Sequence, residues 1–191
     1  MLIILEGMST SGKTMIQKAL AVILKKRKIE YRIIDQNEGL PPETFAHLDS
    51  KKSMKFLLQF LAKNCNKKDE VIICDRFHLS HIAITNWSVE DMDKIETELL
   101  KYDPLVVQLS IDENRAKERL EGAVKHRGTQ WVEELARRGK DRNSALDWFV
   151  GTQKKHIDLF NASKLPKVMF NTTNSNFQEI AEDISEKYIK R

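Results

Sequence analysis

Cysteine and long apolar runs are scarce in this sequence. Its two cysteines, Cys65 and Cys74, cannot build a disulfide framework or a four-ligand zinc site, so a reducing, cytoplasmic location is expected. The longest apolar runs, such as Leu2–Leu5 and Val71–Cys74, span only a few residues, and no membrane span is predicted. No basic start precedes a long apolar stretch, so no signal peptide is expected.

The composition is typical of a globular domain. Of 191 residues, 41% are hydrophobic, 31% charged and 7% aromatic, which excludes a disordered or fibrous chain. No Pro/Gly/Ser-rich linker divides the chain, and its length suits one full core, so residues 1–191 are interpreted as one domain. The net charge of +4, from 32 basic and 28 acidic residues, is too small for a protein that coats DNA.

Short apolar runs alternate with segments of helical periodicity. The five strand candidates are Leu2–Leu5, Tyr31–Ile34, Val71–Cys74, Leu105–Leu109 and Lys167–Phe170. Strands this apolar are buried on both faces, so the pattern predicts an α/β fold with a parallel sheet between two helix layers. Helix caps are predicted at Ser88 with Asp91, at Asp112, and at Ser175 with Gln178.

The segment Gly7–Thr14 carries the strongest chemical signal. It reads Gly7-Met8-Ser9-Thr10-Ser11-Gly12-Lys13-Thr14 and matches G-x-x-x-x-G-K-S/T between the first strand and the first helix. The glycines let backbone N–H groups point at phosphate oxygens, so the candidates for ATP binding are Gly7, Ser9, Thr10, Ser11 and Gly12. Lys13 is expected to reach the β- and γ-phosphates, and the Thr14 hydroxyl to ligate magnesium.

Asp75 is a second anchor, because it ends the apolar strand Val71–Cys74. Ligands of open parallel sheets bind at the carboxyl ends of the strands, where this carboxylate can hold magnesium or accept a hydroxyl proton. Arg76 follows and can clamp an acceptor. His78 and His81 are further candidates for acceptor contacts, whereas a metal pair is not favoured because no third ligand is evident.

The segment Lys125–Arg142 is basic, with six Lys/Arg against three Asp/Glu and only a weak apolar stripe. Such a segment between two good helices is a candidate mobile lid, at about residues 121–143. A cation that a lid delivers stabilises the charge of phosphoryl transfer. The candidates are Arg127, Arg137, Arg138, Lys140 and Arg142. Trp131, on the same segment, is expected to pack in the protein rather than stack on a base.

These pieces, in this order, resemble the thymidylate kinase family, within the wider group of nucleoside and nucleotide kinases. The resemblance spans nearly the whole chain. It rests on Glu6-Gly7, on Asp75-Arg76-Phe77-His78-Leu79-Ser80-His81-Ile82-Ala83, on Pro104 to Arg119, and on Arg138-Gly139-Lys140-Asp141-Arg142. The second block is similar to the family signature Asp-Arg-Tyr/Phe-x-x-Ser-x-x-Ala. The resemblance implies a three-layer P-loop kinase fold with five parallel strands in the order 2-3-1-4-5, flanking helices and a basic lid.

The resemblance also implies residue roles, with ATP and Mg²⁺ as cofactors. Lys13, Asp75, Arg76, Arg138 and Arg142 would be catalytic, and Thr14 and Asp75 would hold the metal. Arg119, Asn171, Thr172 and Thr173 would form the adenine pocket. Glu6, Asp75, Arg76, Phe77 and Ser80 would bind the acceptor, together with a region at about residues 35–66. Family members are often dimers, so a homodimer is an expectation.

Two departures bear on the acceptor. An Arg-Glu-Pro-like block of the family is replaced by Asp35-Gln36-Asn37-Glu38-Gly39-Leu40-Pro41-Pro42, and the segment 57–75 offers Lys63, Lys67 and Lys68 in place of an arginine. A dianionic acceptor phosphate favours bidentate arginine, so these changes favour an uncharged hydroxyl acceptor.

The leading hypothesis is an ATP- and magnesium-dependent kinase acting on a nucleoside monophosphate, thymidylate-like, or on a related nucleoside. One alternative is a kinase for a hydroxyl on a deoxynucleoside or on DNA or RNA. The other is a degenerate kinase that only binds nucleotide. No membrane partner is expected, and the sequence leaves the base, the sugar, the oligomeric state and the source open.

Overall fold

The computed structural model describes residues 1–39, 50–65, 67, 69–85 and 87–190. Part of the predicted acceptor region, residues 40–49, therefore lies outside the described residues. The strands are β1 (Leu2–Glu6), β2 (Tyr31–Ile34), β3 (Val71–Asp75), β4 (Pro104–Ser110) and β5 (Lys167–Asn171). The described helices are α1 (Lys13–Lys26), α2 (Gln36–Gly39), α3 (Ser50–Asn64), α4 (His78–Thr85), α5 (Val89–Leu99), α6 (Glu113–Arg138), α7 (Arg142–Ala162) and α8 (Phe177–Tyr188), with a 3₁₀ turn at Leu100–Tyr102.

The five strands form one parallel sheet in the order β2-β3-β1-β4-β5, as the resemblance implied. β1 lies at the centre, where Ile4 pairs with Cys74 on one side and with Val106 on the other. All five β1 side chains are buried, because helices cover both faces of the sheet. The prediction of a three-layer α/β fold is confirmed.

The two faces of the sheet carry separate apolar cores. On one face, β1 packs against α1 and α8 through residues such as Ile3, Leu20 and Ile184. On the other face, β1 packs against α3, α4, α5 and α7, with Ile4 and Phe77 among the buried residues. Burying one such side chain contributes about 1.5–3 kcal/mol, so these layers hold the ends of the strands in place.

A third apolar core joins α6 and α7 to the loop that follows β1. Met8 lies in this core with Trp131, Leu135 and Phe149, all of them buried. The apolar stripe of the basic segment is therefore stronger than its sequence suggested, and Trp131 packs in the protein as expected. Its indole Nε1 donates a hydrogen bond to the Leu120 carbonyl at 3.2 Å.

The predicted lid segment is helical except at two points. α6 is broken at Gly128, whose φ of 63° and ψ of −152° are not helical, and α6 and α7 are joined through residues 139–141. The Asp141 side chain accepts from the Ser144 amide at 2.8 Å and caps α7. Mobility of this segment stays a prediction.

The three cap predictions have different outcomes. Ser88 caps α5 by accepting from the Asp91 amide at 3.1 Å, as predicted. Asp112 precedes α6 as predicted, but its carboxylate accepts from Asn171 Nδ2 at 2.7 Å and makes no cap hydrogen bond. The capping box at Ser175 is wrong, because α8 begins later, at Phe177, and the Ser175 hydroxyl accepts from Arg119 Nη2 at 2.9 Å.

Candidate nucleotide-binding cleft

The loop between β1 and α1 has the backbone of a phosphate-binding loop. Gly7 and Gly12 adopt φ values of 143° and 93°, in the region that favours glycine. A Cβ atom at Gly7 would lie 2.6 Å from the Leu109 carbonyl oxygen, so the loop passes directly over β4. Gly12 is the N-cap of α1 and offers no side-chain oxygen to the first helical amides. Those amides and the helix dipole therefore favour an anion at this end of α1.

Lys13 lies within this loop and is 7% exposed. Its Nζ donates to the carbonyl oxygens of Gly7 at 3.0 Å and Met8 at 3.1 Å. Burial, followed by the charge of Arg76, lowers the pKa of Lys13 to about 7, while Asp75 and Glu6 raise it. The charged form of Lys13 is therefore costly here until a negative group enters the loop.

Asp75 and Arg76 lie at the carboxyl end of β3, next to β1, where Leu5 pairs with Asp75. Arg76 adopts a left-handed φ of 65°, and its amide donates to the Leu5 carbonyl at 2.9 Å. Asp75 Oδ1 and Arg76 Nε are buried atoms with no hydrogen-bond partner among the described residues. Burial lowers the pKa of the Arg76 guanidinium, against the opposing charges of Asp75 and Glu6.

These groups share one cleft of about 690 Å³. The sequence-predicted residues that line it are Ser9, Thr10, Gly12, Lys13, Thr14, Asp75, Arg76 and Arg119. The structure thus brings the phosphate loop, the end of β3 and the start of α6 together. Gly7 and Ser11 belong to the same loop but do not line the cleft, since Ser11 is buried and the Gly7 position abuts β4.

Six of the sixteen lining residues were not site candidates in the sequence: Met15, Gly122, Ala123, His126, Ser175 and Phe177. The lining also includes Arg127, a predicted lid cation, and Gln36, which falls in the predicted acceptor region at about residues 35–66. Five lining residues follow the helical spacing i, i+3, i+4, i+7, i+8 along α6: Arg119, Gly122, Ala123, His126 and Arg127. This periodicity from Arg119 onward was visible in the sequence and could have identified that wall.

One wall of the cleft is formed by Arg119 and Phe177. Arg119 Nη2 donates to the Thr173 carbonyl and to the Ser175 hydroxyl, each at 2.9 Å, and also to the Thr172 carbonyl. The Arg119 guanidinium carbon lies 5.9 Å from the centre of the Phe177 ring. A guanidinium fixed in this way presents a flat cationic surface, on which a nucleobase can stack.

The residues Asn171–Thr173, predicted to form part of an adenine pocket, are not among the residues that line the cleft in this structure. Thr172 is buried, and its hydroxyl donates to the Ser11 carbonyl at 2.9 Å. The Thr173 hydroxyl accepts from the Asp112 amide at 2.9 Å, and the Asn171 side chain bonds to Asp112 and to the Thr173 amide. This turn supports Arg119 and the phosphate loop rather than offering its side chains to a base.

Three residues predicted to bind the acceptor are buried away from the cleft. Glu6 and Ser80 are fully buried and hydrogen-bonded to each other, and Phe77 is 1% exposed, with its ring 5.9 Å from that of Phe60. Their positions contradict direct contact with an acceptor in this cleft, since strand alternation directs Glu6 to the same face as the buried Ile4.

The lid arginines divide into two groups. Arg127 lines the cleft and lies 4.9 Å above the Trp131 ring. Arg138 lies outside the cleft lining, because its Nε pairs with Glu134 at 2.8 Å and its guanidinium stacks 4.5 Å from the Trp148 ring. Arg142 is exposed, lies 3.8 Å from Glu121 and lines a separate pocket of about 290 Å³. Arg142 therefore lies away from the cleft lining in this structure, and its closure over the phosphate stays a prediction.

The histidines after Asp75 are part of the core. His78 is buried, and its Nε2 lies 3.3 Å from Glu96 Oε1. His81 is buried against Trp87, with ring centres 4.9 Å apart. Within the described ranges no cluster of three His, Cys, Asp or Glu side chains forms a metal site. The groups that fit Mg²⁺ are Thr14 and the unpartnered carboxylate oxygen of Asp75, which line the same cleft.

Comparisons with known proteins agree on the class of fold. Residues 1–83 match the sequence model of a family described as chromatin associated protein KTI12. The chain is similar to the structure of YorR from Bacillus subtilis, solved in complex with phosphorylated GDP, with 25% identity and a TM-score of 0.61. The similarity covers 96% of this chain and 93% of YorR.

A second similar structure is shikimate kinase from Bacteroides thetaiotaomicron, with 15% identity and a TM-score of 0.59 over 97% of this chain and 96% of that one. No curated protein sequence matches. The chain therefore has a nucleotide-binding, P-loop kinase fold. This supports the wider resemblance stated from the sequence and does not extend to the specificity of a thymidylate kinase. Of the helices that the structure describes, none combines the length and apolar character that a bilayer span requires.

Proposed function

We propose that the protein is an ATP- and magnesium-dependent phosphotransferase whose acceptor is a nucleoside monophosphate, thymidylate-like, or a related nucleoside. The observation that carries the proposal is that Lys13, Thr14, Asp75, Arg76 and Arg127 line one cleft at the carboxyl ends of parallel strands. A P-loop, an unpartnered carboxylate and three cations are the parts that phosphoryl transfer uses.

The phosphate loop and Arg119 would hold the donor. When a triphosphate enters, Lys13 Nζ exchanges its two carbonyl partners for phosphate oxygens, whose charge restores the protonated amine. The base would stack on the fixed guanidinium of Arg119, beside Phe177. Magnesium held through Thr14 and Asp75 would neutralise charge on the β- and γ-phosphates.

Asp75 and Arg76 would act on the acceptor. The acceptor oxygen forms a bond to the γ-phosphorus as the bond to the β,γ-bridging oxygen breaks, and ADP leaves. Where the acceptor is a hydroxyl, its proton passes to the Asp75 carboxylate. Arg76 and Arg127 would stabilise the charge that spreads over the transferring oxygens, because both lie on the cleft wall near Lys13.

One observation favours an uncharged hydroxyl acceptor as a second candidate. Gln36 is the residue after β2 that lines the described cleft, and it is neutral. Of the cations that line the cleft, Arg76 is the one that follows Asp75 directly, while Lys13, Arg119 and Arg127 are assigned above to the donor and the transferring oxygens. A dianion favours more than one such group. A nucleoside hydroxyl is uncharged and needs none, and the phosphates of DNA or RNA are diester monoanions rather than a terminal dianion.

The test is transfer of labelled phosphate from ATP and magnesium across a matched panel of acceptors. The panel contains thymidine, thymidine monophosphate, the other nucleosides and monophosphates, and short DNA and RNA. Labelled diphosphate from a monophosphate supports the leading proposal, whereas label only on a nucleoside or an oligonucleotide supports the second candidate. ATP binding with no acceptor of any class would show a binding module instead.

The variant Lys13→Ala provides the internal control for this assay. It should abolish transfer and leave the fold intact, while Lys18→Ala, an exposed lysine on the same helix, should keep normal turnover. Normal turnover in Lys13→Ala would contradict the proposed use of the phosphate loop.

A further inference from the structure

The turn between β3 and α4 presents both candidate acceptor groups in a strained backbone. Arg76 has a left-handed φ of 65°, a conformation that a residue with a side chain keeps only when its surroundings enforce it. Asp75 Oδ1 and Arg76 Nε make no hydrogen bond within the described part of the chain. The backbone of the turn therefore sets where these two side chains begin, and no hydrogen bond at those two atoms fixes their direction.

Glu6 holds this turn from the neighbouring strand. Its Oε1 accepts from the Phe77 amide at 3.0 Å and from the Ser80 amide at 3.3 Å, and its Oε2 accepts from the Ser80 hydroxyl. Glu6 and Ser80 are fully buried, so these hydrogen bonds are shielded from water. The Arg76 amide is held by Leu5, and the Arg76 carbonyl accepts from Cys74 Sγ at 3.2 Å.

Glu6 therefore caps the N-terminus of α4, although it lies at the end of β1 and not next to this helix in the sequence. The residue before α4 is Phe77, whose side chain has no oxygen to accept from the helical amides, and its ring is packed in the core. Glu6 is followed directly by Gly7, the first residue of the phosphate loop. One carboxylate thus links the start of the phosphate loop to the turn that carries Asp75 and Arg76.

We propose that Glu6 and Ser80 are positioning residues for phosphoryl transfer. By clamping the first turn of α4 to the end of β1, they hold Asp75 and Arg76 at a constant distance from Lys13. They do so without contacting either substrate. This inference rests on the proposed function, and it gives a structural role to two residues whose sequence context had suggested acceptor contact.

The test compares Ser80→Ala with Ser185→Ala. Both serines are buried and hydrogen-bonded, but the Ser185 hydroxyl accepts from Arg27 at 2.7 Å, away from the cleft lining. Ser80→Ala should lower kcat by about 10- to 100-fold, as expected for loss of an outer hydrogen-bond partner, and leave the Kd of ATP within about twofold. Ser185→Ala should keep kcat. The conservative change Glu6→Gln, which retains one oxygen for the two amides, should fall between wild type and Ser80→Ala.

Amide hydrogen exchange in the same proteins gives a readout that does not depend on turnover. The amides of Phe77 and Ser80 should exchange faster, relative to Ile73 in β3, in Ser80→Ala but not in Ser185→Ala. Unchanged kcat in Ser80→Ala, or unchanged exchange at Phe77 and Ser80, would overturn the positioning role alone. A wild-type protein that transfers phosphate to no acceptor would overturn the proposed function, and this inference with it.

Discussion

Gly12 joins three parts of the site at the scale of a single residue. It is the N-cap of α1, its φ of 93° allows the loop to turn inward, and its missing Cβ makes room for Phe177. An added Cβ would lie 2.1 Å from Phe177 Cε1, far inside van der Waals contact. The glycine in the motif therefore makes room for the cleft wall at Phe177 as well as allowing the loop to turn.

Gly12→Ala should destabilise the protein by about 1–3 kcal/mol, because it combines backbone strain with displacement of the Phe177 ring. ATP binding should fall below detection in calorimetry, since both the loop and the stacking wall move. Gly151→Ala is the matched control. Gly151 lies in α7, and an added Cβ would meet no described atom within 4 Å apart from its chain neighbours and the nearby backbone of the helix itself, so this change should stabilise the protein by about 0.5–1 kcal/mol. Wild-type ATP affinity in Gly12→Ala would contradict the prediction.

We expect Lys13 to make nucleotide affinity depend on pH. Its pKa is lowered to about 7 by burial, and phosphate binding requires the charged amine, so binding takes up a proton above that pH. The affinity for ATP should fall about tenfold per pH unit above pH 7. Titration calorimetry at pH 8 in two buffers of different ionisation enthalpy measures this proton uptake.

The same lowered pKa affects stability with the opposite sign. Between pH 7 and 10.5 the unfolded chain binds the Lys13 proton more tightly than the folded protein, so the Lys13 contribution to the free energy of unfolding rises with pH. Lys13→Ala should remove this rise. An ATP affinity that stays constant from pH 7 to 9 would show that Lys13 is not the phosphate contact.

At the scale of elements, α6 decides which lid cation reaches the cleft. Its break at Gly128 follows Arg127 directly, and Trp131 and Leu135 anchor the second half of α6 to Met8. The backbone angles of Gly128 belong to a region that is essentially restricted to glycine. Arg127 therefore lines the cleft directly before this break, whereas Arg142 begins the next helix and lines another pocket.

Arg127→Ala should lower kcat by about a hundredfold or more, as loss of a transition-state arginine does, with little change in thermal stability because the side chain is exposed. Arg142→Ala should keep kcat within about twofold. Steady-state kinetics on the acceptor identified above measures both. A larger loss in Arg142→Ala than in Arg127→Ala would mean that α6 and α7 rearrange during the reaction.

At the scale of the whole molecule, two buried histidines set the response to acid. Burial lowers the pKa values of His81 and His156 to about 4, from an ordinary value of 6.5. His81 lies in α4 and His156 in α7, and both side chains are buried, so their charged forms are poorly solvated. Between pH 6.5 and 4 the unfolded chain therefore binds more protons than the folded one.

The free energy of unfolding should fall by about 1.4 kcal/mol per pH unit for each of these histidines as the pH drops from 6.5 towards 4. Urea unfolding at pH 7, 6 and 5 measures the slope. His156→Gln should reduce the slope of the free energy of unfolding against pH by the contribution of one histidine. Replacement of the exposed His126 should leave the slope unchanged. Equal slopes in wild type and His156→Gln would contradict this assignment.

Local chemistry alone was sufficient to predict the strands, the parallel sheet and the phosphate loop. Each depends on a short run of residues, such as the apolar Val71–Cys74 or the spacing from Gly7 to Thr14, whose backbone preferences do not require distant partners. The order of the strands followed from the resemblance rather than from those local preferences, and the sheet has that order.

The tertiary structure alone decided which polar side chains face the cleft. The phosphate loop and the Asp75-Arg76 pair are close in sequence to Glu6, Phe77 and Ser80. Strand alternation and helix packing nevertheless direct these three side chains into the core, where Glu6 caps α4. Arg127 and Phe177 are far from the motifs in sequence but line the cleft, because the break at Gly128 and the contact with Gly12 place them there. A residue type and its spacing show what chemistry is available, whereas side-chain direction depends on packing between elements that are distant in the chain.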